Sequence, residues 1–200
     1  MQNKQFKGSI FLIGGPGSGK TEHATHLSKM LNWTQFESSA AILKVARNYP
    51  HVPIREIIDS GAMVPDYIVI DAWMKNESEM FEKTKGTMIY GGVIRTLGQA
   101  VHIYNHCQNQ GKIRPVRFVE LNLSDETARS RILNRSDRSD DARINRRLAE
   151  HNGNVPFIRD YLKGKVGTHS YRIISTEGSI EDTRRLIEEC VGIERLESVA

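Results

Sequence analysis

Gly14-Gly15-Pro16-Gly17-Ser18-Gly19-Lys20-Thr21 fits the pattern GxxxxGK[ST] in full. An apolar run from Gly8 to Ile13 precedes it and reads as a buried strand. Gly19 to Leu31 follows with Ala24, Leu27 and Leu31 on one helical face. A glycine-rich turn between a strand and a helix aims successive backbone N–H groups into one concavity, and the helix N-terminus adds positive potential there. Gly15, Pro16, Gly17, Ser18, Gly19, Lys20 and Thr21 are therefore the candidate triphosphate cradle. Lys20 is expected to reach the β- and γ-phosphates, and the Thr21 hydroxyl to ligate Mg²⁺.

Outward from this loop, short apolar runs alternate with helix-period stretches. Trp33 to Phe36, Met88 to Tyr90, Val116 to Leu123 and Tyr171 to Ser175 read as further strands. Ser38 to Arg47, a segment opened by Pro53 and closed by Gly61, a longer one from Pro65 to about Phe81, Thr96 to Cys107, Asp125 to Arg135 and about Ala142 to Leu162 read as helices. Ser124 is a helix cap, and Ser179 to Asp182 opens the closing helix as a capping box. The alternation specifies an α/β fold with a mostly parallel sheet and right-handed crossovers. Helical excess between Ser38 and Phe81 points to an inserted lobe, and the polar stretch Ser136 to Asp141 to a loop.

The rest of the composition narrows the class. Two hundred residues, 38% hydrophobic and 26% charged, suit one globular domain. No apolar run approaches the ~20 residues that span a bilayer, and Met1 to Lys7 lacks a signal pattern, so the expectation is a cytoplasmic chain with no membrane partner. Cys107 and Cys190 have no metal-ligand spacing and read as buried thiols. The histidines read as surface or satisfied helix residues, and Trp33 and Trp73 as packing residues. A net charge of +4 permits an anionic ligand without naming it.

Seven arginines fall between Arg129 and Arg147. Arg131 and Arg135 share a helix face, as do Arg143 and Arg147, with Arg138 in the loop between. Planar forks on two helices can grip phosphate oxygens bidentately. The alternative is a solvated face paired with Asp125, Asp137, Asp140 and Glu150. Without interleaved aromatics or a reader motif, nucleic acid is not the expected partner.

These features together resemble adenylate kinases and other nucleoside monophosphate kinases, from about Ile10 to Val191. The loop matches GxPGxGK. The family's STGDxLR falls on Ser38 to Lys44, and its G-x-LV-x-D segment on Gly61 to Asp66. DGFPRTxxQA falls on Gly91 to Ala100, and the lid-exit RxDD on Arg138 to Asp141. Arg147 to His151 and Pro156 to Ile158 match two later stretches, with His151 standing where the family pattern has Tyr.

The resemblance implies a P-loop NTPase fold, a three-layer α/β/α with a central parallel five-stranded sheet, an inserted monophosphate-binding lobe at about 38–81 and a short lid at about 136–141 without a zinc site. It implies that Lys20, Arg95, Arg135, Arg138 and Arg147 act on the phosphates, and that Arg131 and Arg135 lie on the ATP side. Ser39, Lys44, Met63, Val64, Arg95 and Gln99 would hold the monophosphate, and the cofactor would be Mg²⁺ with ATP. The implied reaction is ATP plus a nucleoside monophosphate, AMP favoured through Gln99, on a monomer. UMP, CMP or a deoxynucleotide, another small acceptor, and an ATP-binding relative without turnover remain open alternatives. The chain departs from the pattern at Gly91, where the family has the aspartate that positions Mg²⁺ through water, at Ile94 for proline, at Lys44 for arginine, and at Ala40-Ala41 for Gly-Asp. Arg146 and Arg147 compete for one lid-exit role.

Overall fold

The computed structural model describes residues 8–84, 88–109, 115–134 and 144–192. Within them, β-branched and aromatic runs form five strands: β1 (Ser9–Gly14), β2 (Thr34–Glu37), β3 (Met88–Gly91), β4 (Val116–Asn122) and β5 (Tyr171–Ser175). All pair in parallel, in the order β2-β3-β1-β4-β5. The helices are α1 (Lys20–Leu31), α2 (Ser38–Val45), α3 (Ile54–Asp59), α4 (Asp66–Thr84), α5 (Leu97–Asn109), α6 (Asp125–Leu133), α7 (Ile144–Ser170) and α8 (Ile180–Val191). A 3-10 turn, Ala46–Asn48, ends α2. This is the three-layer P-loop architecture expected from the sequence.

A parallel sheet covered on both faces has apolar residues at nearly every strand position. Here the alternation sorts them between two helical layers. Phe11, Ile13, Phe36, Tyr90, Phe118 and Tyr171 pack with α2, α4, α5 and α7. Ile10, Leu12, Ile89, Val119 and Ile174 pack with α1 and α8 through Ala24, Leu27, Ile187 and Val191. Helices α2, α3 and α4 are all inserted between β2 and β3.

Local signals set the helix ends. Ser124 Oγ accepts from Thr127 N at 3.3 Å, and Ser179 Oγ from Asp182 N at 3.0 Å. The Pro65 carbonyl accepts from Ile68 and Val69 as α4 begins. The largest boundary difference is α7, which continues past Leu162 to Ser170 despite Gly164, with helical dihedrals broken at Gly167 (φ 68°). Tertiary contacts outweigh glycine's low propensity there: Val166 packs on the core, and the Lys163 ammonium lies 5.8 Å from the Tyr171 ring centroid. Trp33 and Trp73 are buried as expected, and Cys107 with them, but Cys190 is only half-buried. The expected lid, Ser136 to Asp141, lies outside the described residues, as do Arg135, Arg138 and Arg143. No helix among the described residues is long and apolar enough to cross a membrane.

A buried ion pair ties α7 to the sheet. Glu120 of β4 is 2% exposed and accepts from Arg159 Nε at 2.9 Å and from Tyr171 Oη at 2.6 Å. Burial and this carboxylate push the Tyr171 hydroxyl well above its ordinary pKa.

Candidate active site

The glycine-rich turn leaves the C-terminal end of β1, the central strand, which is where open α/β sheets bind ligands. Gly17 and Gly19 take positive φ of 76° and 83°, left-handed values that suit glycine. Ser18 Oγ donates to the Gly15 carbonyl at 2.8 Å, closing the loop on itself. Lys20 folds back over it, its Nζ donating to the Gly14 and Gly15 carbonyls at 2.6 Å each. The ammonium is thus held at the mouth of the loop by neutral acceptors that a phosphate oxygen can replace.

This loop opens into a cleft of about 680 Å³, lined by Gly14 to Gly17, Gly19, Lys20 and Thr21 together with Ser39, Met63, Gly91, Gly92, Arg95 and Arg147. A smaller cavity adjoins it and shares Ser39, Met63, Gly92, Arg95 and Arg147, while Val64 and Gln99 line its inner end. The chain therefore brings the phosphate loop and most of the expected monophosphate-binding residues to one continuous space. Arg95 is steered by its Nε, which donates to the Gly92 carbonyl at 3.0 Å.

Gln99 is buried and its amide is fully directed. Nε2 donates to Asp66 Oδ1 at 2.8 Å, and Oε1 accepts from Arg95 N at 2.8 Å. Asp66 Oδ2 also accepts from Thr96 Oγ1 at 2.8 Å. Asp66, at the start of α4, thus holds the Arg95-Thr96 turn and the orientation of Gln99 together.

Two expected residues are placed differently. Lys44 is exposed and lines neither cavity; Arg55 of α3 lines the cleft instead. Arg131 lines neither cavity, because its guanidinium clasps the loop to the β5–α8 connection, donating to the Thr176 carbonyl at 2.7 Å and to the Gly17 carbonyl at 3.5 Å. Of the two adjacent arginines, Arg147 lines both cavities while Arg146 turns outward to Glu150 at 3.2 Å.

Two histidines brace the loop, a role the sequence reading did not assign to either. A Cβ on Gly15 would stand 2.9 Å from His151 Cδ2, and one on Gly19 would stand 3.1 Å from the His23 ring. His151 also lines the cleft, and buried His23 Nδ1 has no hydrogen-bond partner among the described residues. Burial, then Arg184, pulls the pKa of His23 down to about 4. Burial, then Lys20, does the same to His151, also to about 4.

Both histidines ordinarily titrate near 6.5 in the unfolded chain, so below that pH the unfolded state binds protons that the folded state refuses. Stability is expected to be whole above pH 6.5 and to fall as pH drops toward 4, by at most ~1.4 kcal/mol per pH unit for each histidine. Urea unfolding between pH 7.5 and 4.5 measures this, and His151→Asn should reduce the slope. A slope unchanged by that substitution would refute the assignment.

A family model described as "AAA domain" matches residues 13–147. The adenylate kinase of Campylobacter curvus is 27% identical over 188 residues, 90% of this chain and 97% of that one. The adenylate kinase of a Nitratiruptor species is 32% identical over 136 residues, 66% of this chain and 69% of that one. That of Campylobacter hominis is 30% identical over 138 residues, 68% and 70% of the two chains. Since that likeness spans the phosphate loop, the inserted helices and the Arg95 turn alike, the chain belongs to the AAA domain family and is a divergent adenylate kinase-like protein.

Proposed function

We propose that this chain transfers the γ-phosphoryl of ATP to a nucleoside monophosphate, with AMP the favoured acceptor and ADP the product on both sides. One observation carries the reading: the phosphate loop and the cavity ending at Gln99 open into each other, with Arg95 and Arg147 lining both. Phosphoryl transfer asks a protein chiefly to hold two phosphates in line and to neutralise their charge. The loop N–H groups and Lys20 would grip the triphosphate. Arg95 would hold the acceptor's phosphate, and Arg147, between the two, would balance charge as it moves. Ser39, Met63, Val64 and Gln99 would enclose the base.

The donor set fits Mg²⁺ bound with ATP. Thr21 is exposed at the start of α1 and lines the cleft beside Lys20, so its hydroxyl could reach such a cation. When bound, the cation supplies charge neutralisation on the phosphate oxygens. Gly91 lacks the carboxylate that the family uses to order its waters, and such a loss typically costs ~10–100-fold unless another side chain takes over the role. The proposal further takes the chain to work as a cytoplasmic monomer on free nucleotides rather than on nucleic acid.

A coupled assay of ADP formation tests this, with Mg-ATP and AMP, dAMP, UMP, CMP, GMP or no acceptor. Acceptor-dependent turnover, fastest with AMP, is expected. Arg95→Ala should raise the acceptor KM by ~100-fold, since truncating one partner of a charged pair costs ~2–5 kcal/mol. ATP binding without any acceptor-dependent turnover would overturn the proposal.

A further inference from the structure

Gly91 ends β3 on the face of the sheet that α1 covers. A Cβ built there would meet Ala24 Cβ at 3.7 Å and the Lys20 carbonyl oxygen at 3.8 Å. Its Cα partner on the neighbouring strand is Glu37, the last residue of β2. Register partners in a parallel ladder project to the same side, about 4.8 Å apart. Glu37 therefore stands on the α1 side, one strand outward from the missing side chain, and a glutamate reaches one methylene further than an aspartate.

Hydrogen bonds support the same placement independently. Gln35, two residues earlier on the same face, accepts from Thr25 Oγ1 of α1 at 3.1 Å and donates from Nε2 to Glu37 Oε1 at 2.6 Å. Thr25 lies one helical turn beyond Thr21. Thr25 and Glu37, the two ends of this line of hydrogen bonds, both line the cleft, as do Thr21, Lys20 and Gly91.

The other carboxylates lining the cleft are otherwise engaged or placed. Glu22 pairs with Arg184 at 2.8 Å and Glu150 with Arg146 at 3.2 Å, while Asp59 belongs to α3 in the inserted segment. Among the described residues, the hydrogen-bond partner of the Glu37 carboxylate is the neutral Gln35 rather than a cation. An anion at the sheet's ligand-binding edge, facing the Thr21 side and bordering a position with no side chain, has room for a hydrated divalent ion in front of it.

We propose that Glu37 supplies from β2 the carboxylate that orders the waters around the cation of bound Mg-ATP, in place of the one absent at Gly91. This rests on the phosphoryl-transfer reading for its consequence in turnover. Its direct readout is metal affinity. Glu37 is a positioning residue: it acts through water and touches no reacting atom.

The test titrates Mn²⁺ into protein saturated with ATP and reads free Mn²⁺ by electron paramagnetic resonance. The wild type, Glu37→Gln, Gly91→Asp and the double variant are compared. Glu37→Gln should weaken Mn²⁺ binding ~10-fold or more, with metal-free ATP affinity and melting temperature unchanged. Gly91→Asp should add little alone, because Glu37 already provides the carboxylate, yet should restore Mn²⁺ affinity in the Glu37→Gln background. Acceptor-dependent ADP formation is measured in parallel. Unaltered Mn²⁺ affinity in Glu37→Gln, with the wild type turning over, would overturn the assignment of Glu37 and leave the proposed reaction standing. Weakened and restored Mn²⁺ affinity without turnover in the wild type would uphold Glu37 and overturn the reaction.

Discussion

Lys20→Met is expected to lower acceptor-dependent turnover by ~10³-fold, the scale for losing one preorganised charge-stabilising donor. Lys20 Nζ sits 2.6 Å from both the Gly14 and Gly15 carbonyls, over the glycine-rich loop. Entering phosphate oxygens would replace neutral acceptors with charged ones, and charge-assisted hydrogen bonds are roughly twice as strong. Methionine keeps the unbranched stem and its packing along the loop while deleting the charge. The effect should therefore fall on kcat more than on the melting temperature. The measurement is kcat and ATP affinity for both proteins, with thermal unfolding as control. A loss within tenfold would mean that Lys20 does not face the transferring group.

Much of the fold was legible because it is local. The 2.0 and 3.6 periodicities marked the strands and helices, and Pro53, Pro65, Ser124 and Ser179 marked their starts. The phosphate loop was legible because its residues are contiguous. What escaped depends on the sheet bringing distant positions together. Glu37 and Gly91 are separated by the whole of α2 to α4, yet they are register partners. Nothing in the spacing of either residue announces that.

Arg55 lining the cleft where Lys44 does not has a similar cause. Helix α3 brings Arg55, Ile58 and Asp59 to the cleft, whereas Lys44 is exposed on α2. His151 carried one faint signal, a substitution at a position where the resembled pattern has Tyr. Its contact with Gly15 emerges only from the packing of α7 on the loop. Gln99 was found by resemblance, but the carboxylate that orients it, Asp66, was read only as part of a motif.

A row of rings crosses the sheet beneath this site. Phe36, Tyr90, Phe11, Phe118 and Tyr171 are successive register partners across the five strands. Their centroids are separated by 5.6, 4.5, 5.3 and 6.3 Å in that order, all on the α7 side of the sheet. Phe11 is the middle ring, 1% exposed, stacked on Tyr90 at an interplanar angle of 9° and on Phe118 at 22°. Phe11→Ala deletes contacts with both neighbours and opens a cavity that flanking strands cannot close, since their spacing is fixed by the backbone ladder. The expected cost is ~3–5 kcal/mol. Phe11→Leu should cost markedly less, because it refills most of the volume and loses chiefly the ring-on-ring term of ~0.5–1.5 kcal/mol per pair. Urea unfolding of the three proteins measures both, through the shift in midpoint at constant slope. Because Phe11 lies three residues before Gly14 on the strand that delivers the loop, the alanine variant should also lose nucleotide affinity at temperatures where it begins to unfold, and regain it on cooling. A cost below ~1 kcal/mol would show that the row is a consequence of register rather than a source of stability.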